Sequence, residues 1–227
     1  MKKSLIAVAI AALSLTTSSH AQVTAERQAS LTPDAVLESL MAGNARFVAD
    51  KPTEPYITAR RAATAKSQYP KAVILSCLDS RVPVEQVFDR GIGDLFVGRV
   101  AGNVEDTDQL GSMEFATKLA GAKLVMVLGH SRCGAVVGAI SDAKLGNLTS
   151  LLAKIRRAEK GVKGFEPDQR NAANSKFVEA VTEENVREVV AGIRKNSPVL
   201  AKLEKAGTIK IVGAVYELKT GKVELLK

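Results

Sequence analysis

The sequence is poor in the residues that several common functions require. It has no tryptophan, only three tyrosines and six phenylalanines, and its lysines and arginines are scattered without a dense run. A nucleic-acid surface needs a clustered basic patch or an aromatic stacking platform, so we predict no nucleic-acid partner. The net charge of +8 is better explained by solubility. Neither a phosphate-binding glycine loop nor a complete dinucleotide fingerprint occurs, which argues against a nucleotide cofactor.

The N-terminus carries the pattern of a secretory signal. Lys2 and Lys3 precede an apolar run at residues 5–15, and residues 19–21 offer a small-residue cleavage site. The run is shorter than the roughly 20 residues that a transmembrane helix needs. We therefore expect a signal peptide at residues 1–21, a periplasmic location, and no membrane contact after cleavage; an uncleaved anchor is the alternative. Cleavage would remove His20 and two lysines, which lowers the net charge to about +6.

The remaining residues, 22–227, predict one α/β domain, with a mostly parallel β-sheet flanked by helices and an N-terminal helical arm. Short apolar runs are typical of parallel strands buried on both faces, and they occur at residues 72–76, 95–99, 123–129 and 209–215. Residues 223–226 could add an antiparallel edge strand. Helical patterns occupy residues 108–121, 134–144, 147–160, 175–195 and 198–206. Two earlier helices, 32–50 and 58–68, form the arm (32–68) before the α/β core (69–227).

The predicted mature chain has one histidine and two cysteines, and these three residues lie in two short motifs. Cys77 follows the first predicted strand, His130 follows the third, and Cys133 comes three residues later. Sites in open α/β sheets form beyond the carboxyl ends of strands, so the two motifs can meet there. Two thiolates and an imidazole are ligands that zinc prefers. In an exported protein the two cysteines could instead form a disulfide, but the residues around them favour a metal site.

Asp79 and Arg81 complete the first motif, and Asp79 has two candidate roles. In an extended segment, alternate side chains point the same way, so Asp79 could join the metal as a fourth ligand. It could also pair with Arg81, whose guanidinium binds carboxylates through two hydrogen bonds. The first arrangement closes the metal site, whereas the second leaves an open position for water, as in catalytic zinc sites. Asp79 could then accept a hydrogen bond from zinc-bound hydroxide.

The chain resembles the β-class carbonic anhydrases. The resemblance is carried by the motif Cys-x-Asp-x-Arg and, about fifty residues later, by His-x-x-Cys, on an α/β scaffold. The resemblance covers most of the mature chain and implies that Cys77, His130 and Cys133 bind Zn²⁺, with Asp79 and Arg81 as the catalytic dyad. Further stretches carry the same resemblance: residues 40–47, Ser80-Arg81-Val82-Pro83, residues 93–97 and Arg99-Val100-Ala101-Gly102-Asn103.

The same resemblance, to the plant-like subgroup, implies a substrate pocket. Gln68 matches an amide that hydrogen-bonds the substrate, Phe96 matches an apolar wall, and Gly102 belongs to the matched stretch. Phe115 stands where the subgroup often has tyrosine, and Leu78 replaces a serine between the cysteine and the aspartate. Because the chain has no tryptophan, the bicarbonate-binding regulatory site of another subgroup cannot be intact in its usual form.

The expected reaction is the reversible hydration of carbon dioxide to bicarbonate and a proton, by zinc-bound hydroxide. An apolar cleft with one amide donor suits a small apolar substrate. The resemblance also implies a homodimer or higher homo-oligomer, in which the N-terminal helices pack on the partner. Two alternatives stay open: hydrolysis of a related cumulene such as carbon disulfide, and an inactive zinc-binding or redox protein.

Overall fold

A computed structural model describes residues 24–53 and 57–227. The predicted signal peptide at residues 1–21 therefore lies outside the described residues. Within the two described ranges, no helix combines the length and the apolar character that crossing a membrane demands.

The core of the fold is a five-stranded sheet in the order β2-β1-β3-β4-β5. The first four strands along that order are parallel and β5 is antiparallel to β4. The strands are β1 (Ala72–Ser76), β2 (Leu95–Arg99), β3 (Leu124–His130), β4 (Lys210–Tyr216) and β5 (Val223–Leu225). The predicted α/β class with a mostly parallel sheet is confirmed, and β1 and β2 have the predicted bounds. The predicted β3 and β4 are displaced by one residue.

Helices cover both faces of this sheet. They are α1 (Ala25–Ala29), α2 (Pro33–Val48), α3 (Ile57–Thr64), α4 (Val84–Val87), α5 (Thr107–Glu114), α6 (Gly134–Ile140), α7 (Leu148–Gly161), α8 (Ser175–Asn196) and α9 (Pro198–Lys205). The short helices α1 and α4 were not predicted. The predicted helix at 108–121 is divided, because α5 passes into a π-helical turn at Phe115–Leu119. Such turns leave the regular hydrogen-bond ladder and often occur at functional sites.

Helix α2 belongs to the core of its own chain. Val36 and Leu40 are buried with Ile74 of β1 in one apolar cluster. The buried Asn44 side chain donates to the carbonyl oxygen of Gly221 at 2.8 Å and accepts from the Val223 N–H at 2.9 Å, which ties α2 to β5. The sequence suggested a separate arm for this region, so the structure revises that expectation for α2.

Helix α3 lies on the surface and buries none of its residues. It contacts the loop before β2 through Arg60, whose guanidinium pairs with Asp94 at 2.7 Å and donates to the Ile92 carbonyl at 3.1 Å. Polar contacts of this kind hold α3 on the domain without adding it to the apolar core. Of the two predicted arm helices, α3 therefore lies outside the apolar core, whereas α2 is part of it.

The sheet topology brings the carboxyl ends of β1 and β3 together. The two strands pair in parallel, with Ser76 opposite Leu128. Cys77 is the first residue after β1 and His130 is the last residue of β3. Both motifs therefore emerge at the same edge of the sheet, as parallel pairing requires.

Candidate metal centre and active site

Cys77, His130 and Cys133 form a compact buried group. The ligand atoms of the three side chains lie within 4.8 Å of one another. Cys77 and Cys133 are 4% and 1% exposed, and His130 is fully buried. Cys133 reaches the group because Arg132 adopts a left-handed backbone conformation, with φ of 56°, before α6 begins. The three residues thus converge as predicted, and the donor set of two sulfurs and one nitrogen suits a metal such as zinc.

The protonation of His130 prepares one ring nitrogen for a metal. Its Nδ1 lies 2.9 Å from the carbonyl oxygen of Ser131, and a carbonyl only accepts hydrogen bonds, so Nδ1 carries the proton. Ser131 is itself held at the end of β4, because its N–H donates to Tyr216 and its hydroxyl accepts from Leu218. In the neutral ring Nε2 then has a free lone pair, and Nε2 is buried with no hydrogen-bond partner among the described residues. A metal ion would satisfy this nitrogen.

The two sulfur atoms lie 3.8 Å apart and share a hydrogen bond. The Cys133 thiol, donating to Cys77, holds the pKa of Cys77 well below its ordinary value, while burial opposes the shift. The same hydrogen bond, together with burial, raises the pKa of Cys133. The N–H groups of Asp79 and Gly102 also donate to the Cys77 sulfur, at 3.5 and 3.4 Å. The two N–H donors favour negative charge on the Cys77 sulfur, and cysteine binds metals as the thiolate.

Asp79 and Arg81 form the bidentate pair that the sequence left as one of two arrangements. The Arg81 Nε donates to Oδ1 at 2.9 Å, its Nη2 donates to Oδ2 at 2.7 Å, and its backbone N–H also donates to Oδ1. These hydrogen bonds keep the pKa of Asp79 far below its usual range, so the carboxylate is charged. Asp79 Oδ2 lies 3.7 Å from His130 Nε2. In this structure Asp79 is therefore paired with Arg81 and lies beside the three candidate metal ligands.

Gly102 lies beneath Cys77 and supports it. Its backbone has a φ of 71°, and a Cβ built at this position would overlap the Cδ1 atom of Ile155. Because the position has no side chain, the Gly102 N–H reaches the Cys77 sulfur, and the Gly102 carbonyl accepts from Asn185 Nδ2 at 2.8 Å. The sequence assigned Gly102 to a substrate pocket. Its contacts show that it orients a candidate metal ligand.

Phe96 and Phe115, two of the predicted pocket residues, line the same cavity. Their rings meet edge to face, with centroids 6.1 Å apart. The cavity has a volume of about 320 Å³ and lies along β1, β2 and α5. Val73 and Leu75 contribute to its wall, and Cys77 comes two residues after Leu75. The cavity and the metal-ligating group are therefore neighbours along β1.

Gln68, the predicted amide donor, does not line this cavity within one chain. It is exposed in the segment between α3 and β1. Its role in binding the substrate stays a prediction.

Sequence reasoning missed the residues that hold the ligands in place. Asn185 on α8 fixes Gly102, and the Ser131 carbonyl fixes the His130 ring. Asn185 is buried in α8, where all the other buried residues except Thr182 are apolar. A buried polar residue on an apolar face was the available signal, since such groups need hydrogen-bond partners.

Comparison with known proteins agrees with the geometry. The profile of the family described as carbonic anhydrase matches residues 72–223. The carbonic anhydrase of Mycolicibacterium smegmatis is 40% identical over 194 residues, which cover 85% of this chain and 93% of that protein.

Solved structures show the same fold. The Coccomyxa β-carbonic anhydrase is similar with a TM-score of 0.63 at 25% identity, covering 73% of this chain and 75% of that one. A β-carbonic anhydrase from Sordaria macrospora, described as tetrameric, gives a TM-score of 0.62 at 20% identity over 74% of this chain and 90% of that one. With the family profile, the bacterial relative and the shared fold in agreement, this chain belongs to the carbonic anhydrase family, in its β class.

Proposed function

We propose that this carbonic anhydrase catalyses the reversible hydration of carbon dioxide with a zinc ion held by Cys77, His130 and Cys133. The observation that carries the proposal is the fully buried His130 Nε2, which has no hydrogen-bond partner among the described residues and lies 3.7 Å from Asp79 Oδ2. A buried polar atom without a partner is costly unless a ligand satisfies it. Two nearby sulfurs make zinc the fitting ligand.

A zinc ion bound here would supply a Lewis acid, which lowers the pKa of water towards neutral pH. The chain prepares this chemistry with its own hydrogen bonds. The Gly102 and Asp79 N–H groups orient the Cys77 sulfur, and the Ser131 carbonyl fixes the His130 ring. Outer contacts of this kind set the direction of each ligand and tune its basicity.

Asp79 orients the water that attacks carbon dioxide. Both of its oxygens are bound to Arg81, and the resulting charge makes the carboxylate an acceptor only. An attacking water that donates to Asp79 Oδ2 is left with a lone pair turned away from the carboxylate. Arg81 therefore serves two purposes, since it fixes the carboxylate and lowers its pKa further below the usual range.

The pocket and the assembly belong to the same proposal. Phe96 and Phe115 offer the apolar wall that a small apolar substrate requires. Strand β2 is an edge strand of the sheet, and Phe115 beside it is 51% exposed. Open edges and exposed aromatic groups favour association with another chain. We therefore propose a homodimer or higher homo-oligomer, in which Gln68 of one subunit completes the pocket of the other.

We also propose that the enzyme works in the periplasm after export. The support is the N-terminal pattern of two lysines, an apolar run and a small-residue cleavage site. Cell fractionation followed by N-terminal sequencing tests this location. A mature protein that begins at Gln22 and is recovered with periplasmic markers supports it, whereas an intact N-terminus in the cytoplasm contradicts it.

The function is tested by stopped-flow measurement of carbon dioxide hydration with zinc-loaded protein, beside Cys77→Ser. We expect a fast rate that depends on zinc and is lost in the variant, because one thiolate ligand is gone. A zinc-bound wild type with no rate above buffer would refute the proposal. The comparisons favour neither carbon disulfide hydrolysis nor an inactive zinc-binding or redox protein.

A further inference from the structure

Arg99 is the last residue of β2, and its guanidinium contacts the loop that carries Cys77 and Asp79. Its Nε donates to the carbonyl oxygen of Cys77 at 3.1 Å. Its Nη2 donates to the carbonyl oxygens of Leu78, at 3.2 Å, and of Asp79, at 2.5 Å. One planar group thus satisfies three consecutive carbonyls. Among the described residues, no carboxylate forms an ion pair with Arg99. The Nε and Nη2 groups of Arg99 therefore donate to the carbonyls of the loop and not to an acidic side chain.

We propose that Arg99 is a positioning residue of the enzyme, which fixes the loop at residues 77–79 and thereby the direction of both the Cys77 ligand and the Asp79 carboxylate. The inference rests on the proposed zinc-dependent function and extends it to a side chain outside the ligand set and the dyad.

The strand pairing explains why this loop needs an external support. β1 and β2 are in register up to the pair Ser76 and Arg99, and the last backbone contact is the Val100 N–H donating to the Ser76 carbonyl at 3.1 Å. Beyond that point the carbonyls of the loop have left the ladder. The Arg99 side chain continues the hydrogen bonding from β2 onto these carbonyls, as a planar guanidinium can do with several donors at fixed angles.

Apolar packing holds Cys77, which is buried, but it does not hold the residue that follows. Leu78, between the ligand and the carboxylate, is 65% exposed. Asp79 is fixed at its side chain by Arg81, but Arg81 is only two residues further on and moves with the same segment. Arg99 is therefore the side chain that ties the backbone carbonyls of the loop to the neighbouring strand, while the Gly102 N–H holds the Cys77 sulfur. Without it, three consecutive carbonyls of the loop lose their shared donor, and the positions of the Cys77 sulfur and the Asp79 carboxylate relative to His130 are less firmly fixed.

The experiment compares Arg99→Gln and Arg99→Lys with Arg170→Gln as a matched control. Arg170 also donates to two backbone carbonyls, of Val162 at 2.9 Å and Glu159 at 2.5 Å, and lies over the Phe177 ring, but these contacts are outside the site. Each full-length protein is loaded with zinc for kinetics and chelator competition, and with cobalt(II) for its absorption spectrum, which reports ligand geometry independently of activity.

For Arg99→Gln we expect zinc affinity and kcat to fall by roughly tenfold to a hundredfold, with a shifted cobalt spectrum. Arg99→Lys should be intermediate, because an ammonium keeps the charge but cannot span three carbonyls. Added guanidinium ion should restore part of the kcat of Arg99→Gln. Arg170→Gln should keep the wild-type kcat and cobalt spectrum.

A folded Arg99→Gln protein with the wild-type cobalt spectrum, zinc affinity and kcat overturns the proposal. If Arg99→Gln does not fold, the decision passes to Arg99→Lys, where an unchanged spectrum and kcat overturn it equally. Failure of the proposed function is recognised separately. A wild type that binds cobalt but does not hydrate carbon dioxide refutes that function, and the spectra of the variants still decide whether Arg99 positions the loop.

Discussion

Replacing Gly102 with alanine tests whether close packing beneath Cys77 is necessary. Two costs add at this position. The φ of 71° lies in the left-handed region, where a side chain costs about 1–2 kcal/mol. The new Cβ would also overlap Cδ1 of the fully buried Ile155 and approach the Ala135 Cβ at 3.3 Å, and such overpacking costs about 1–3 kcal/mol. We expect Gly102→Ala to lower the free energy of unfolding by about 2–5 kcal/mol in total.

Gly207 provides a matched control for the backbone cost. Its φ is 68°, and no atom lies within 4 Å of a Cβ built there. Gly207→Ala should therefore cost only about 1 kcal/mol, because the backbone strain is partly offset by the lower entropy of the unfolded chain. The difference between the two variants isolates the packing cost at Gly102.

The measurement is urea unfolding at fixed protein concentration, analysed by linear extrapolation. Ile155→Val provides an internal check, because valine lacks the Cδ1 atom that a Cβ at Gly102 would meet. Alone, Ile155→Val should cost about 1 kcal/mol, whereas in the Gly102→Ala background it should cost less or stabilise. If Gly102→Ala loses no more free energy of unfolding than Gly207→Ala, the packing argument is refuted.

Three further predictions concern the dyad, the metal and acid stability. Asp79→Asn should keep zinc, measured by metal analysis, but lose about 10²-fold or more in hydration rate. The amide has one acceptor oxygen in place of two, so it cannot both pair with Arg81 and accept a hydrogen bond from water as the carboxylate does. An unchanged rate would exclude the proposed role. Removing zinc with a chelator should speed the reaction of Cys77 with a thiol reagent, and equal rates with and without zinc would argue against thiolate ligation. Arg194 donates to Glu204 and lowers the pKa of that carboxyl from 4.5. The ionised Glu204 therefore stabilises the fold above that pH, and this stabilisation is lost as the pH falls. The difference in free energy of unfolding between wild type and Glu204→Gln should narrow below about pH 4.5, and a constant difference would contradict this.

The fold was predictable where the sequence pattern is local. β1 and β2 match their predicted bounds because each is a continuous apolar run that is too short for a helix. The shared edge of Cys77 and His130 followed from parallel strands that end side by side. Helix α4 was missed because four residues are too few to show a period. The π-helical turn was missed because its apolar spacing resembles that of an ordinary helix.

The contacts that orient the site residues were not predictable from the sequence, for a different reason. Arg99 and Asn185 donate to backbone carbonyls, and the sequence does not show which carbonyl such a donor reaches. The need for glycine at residue 102 depends on where Ile155 of α7 lies in three dimensions, more than fifty residues along the chain. The reacting and metal-binding groups must be particular side chains, so their residue types can be recognised in the sequence. The groups that orient them require only a donor at the right distance, and that distance is a property of the folded chain. Substitutions at Gly102 and Arg99 therefore test contacts of this active site that only the folded chain reveals.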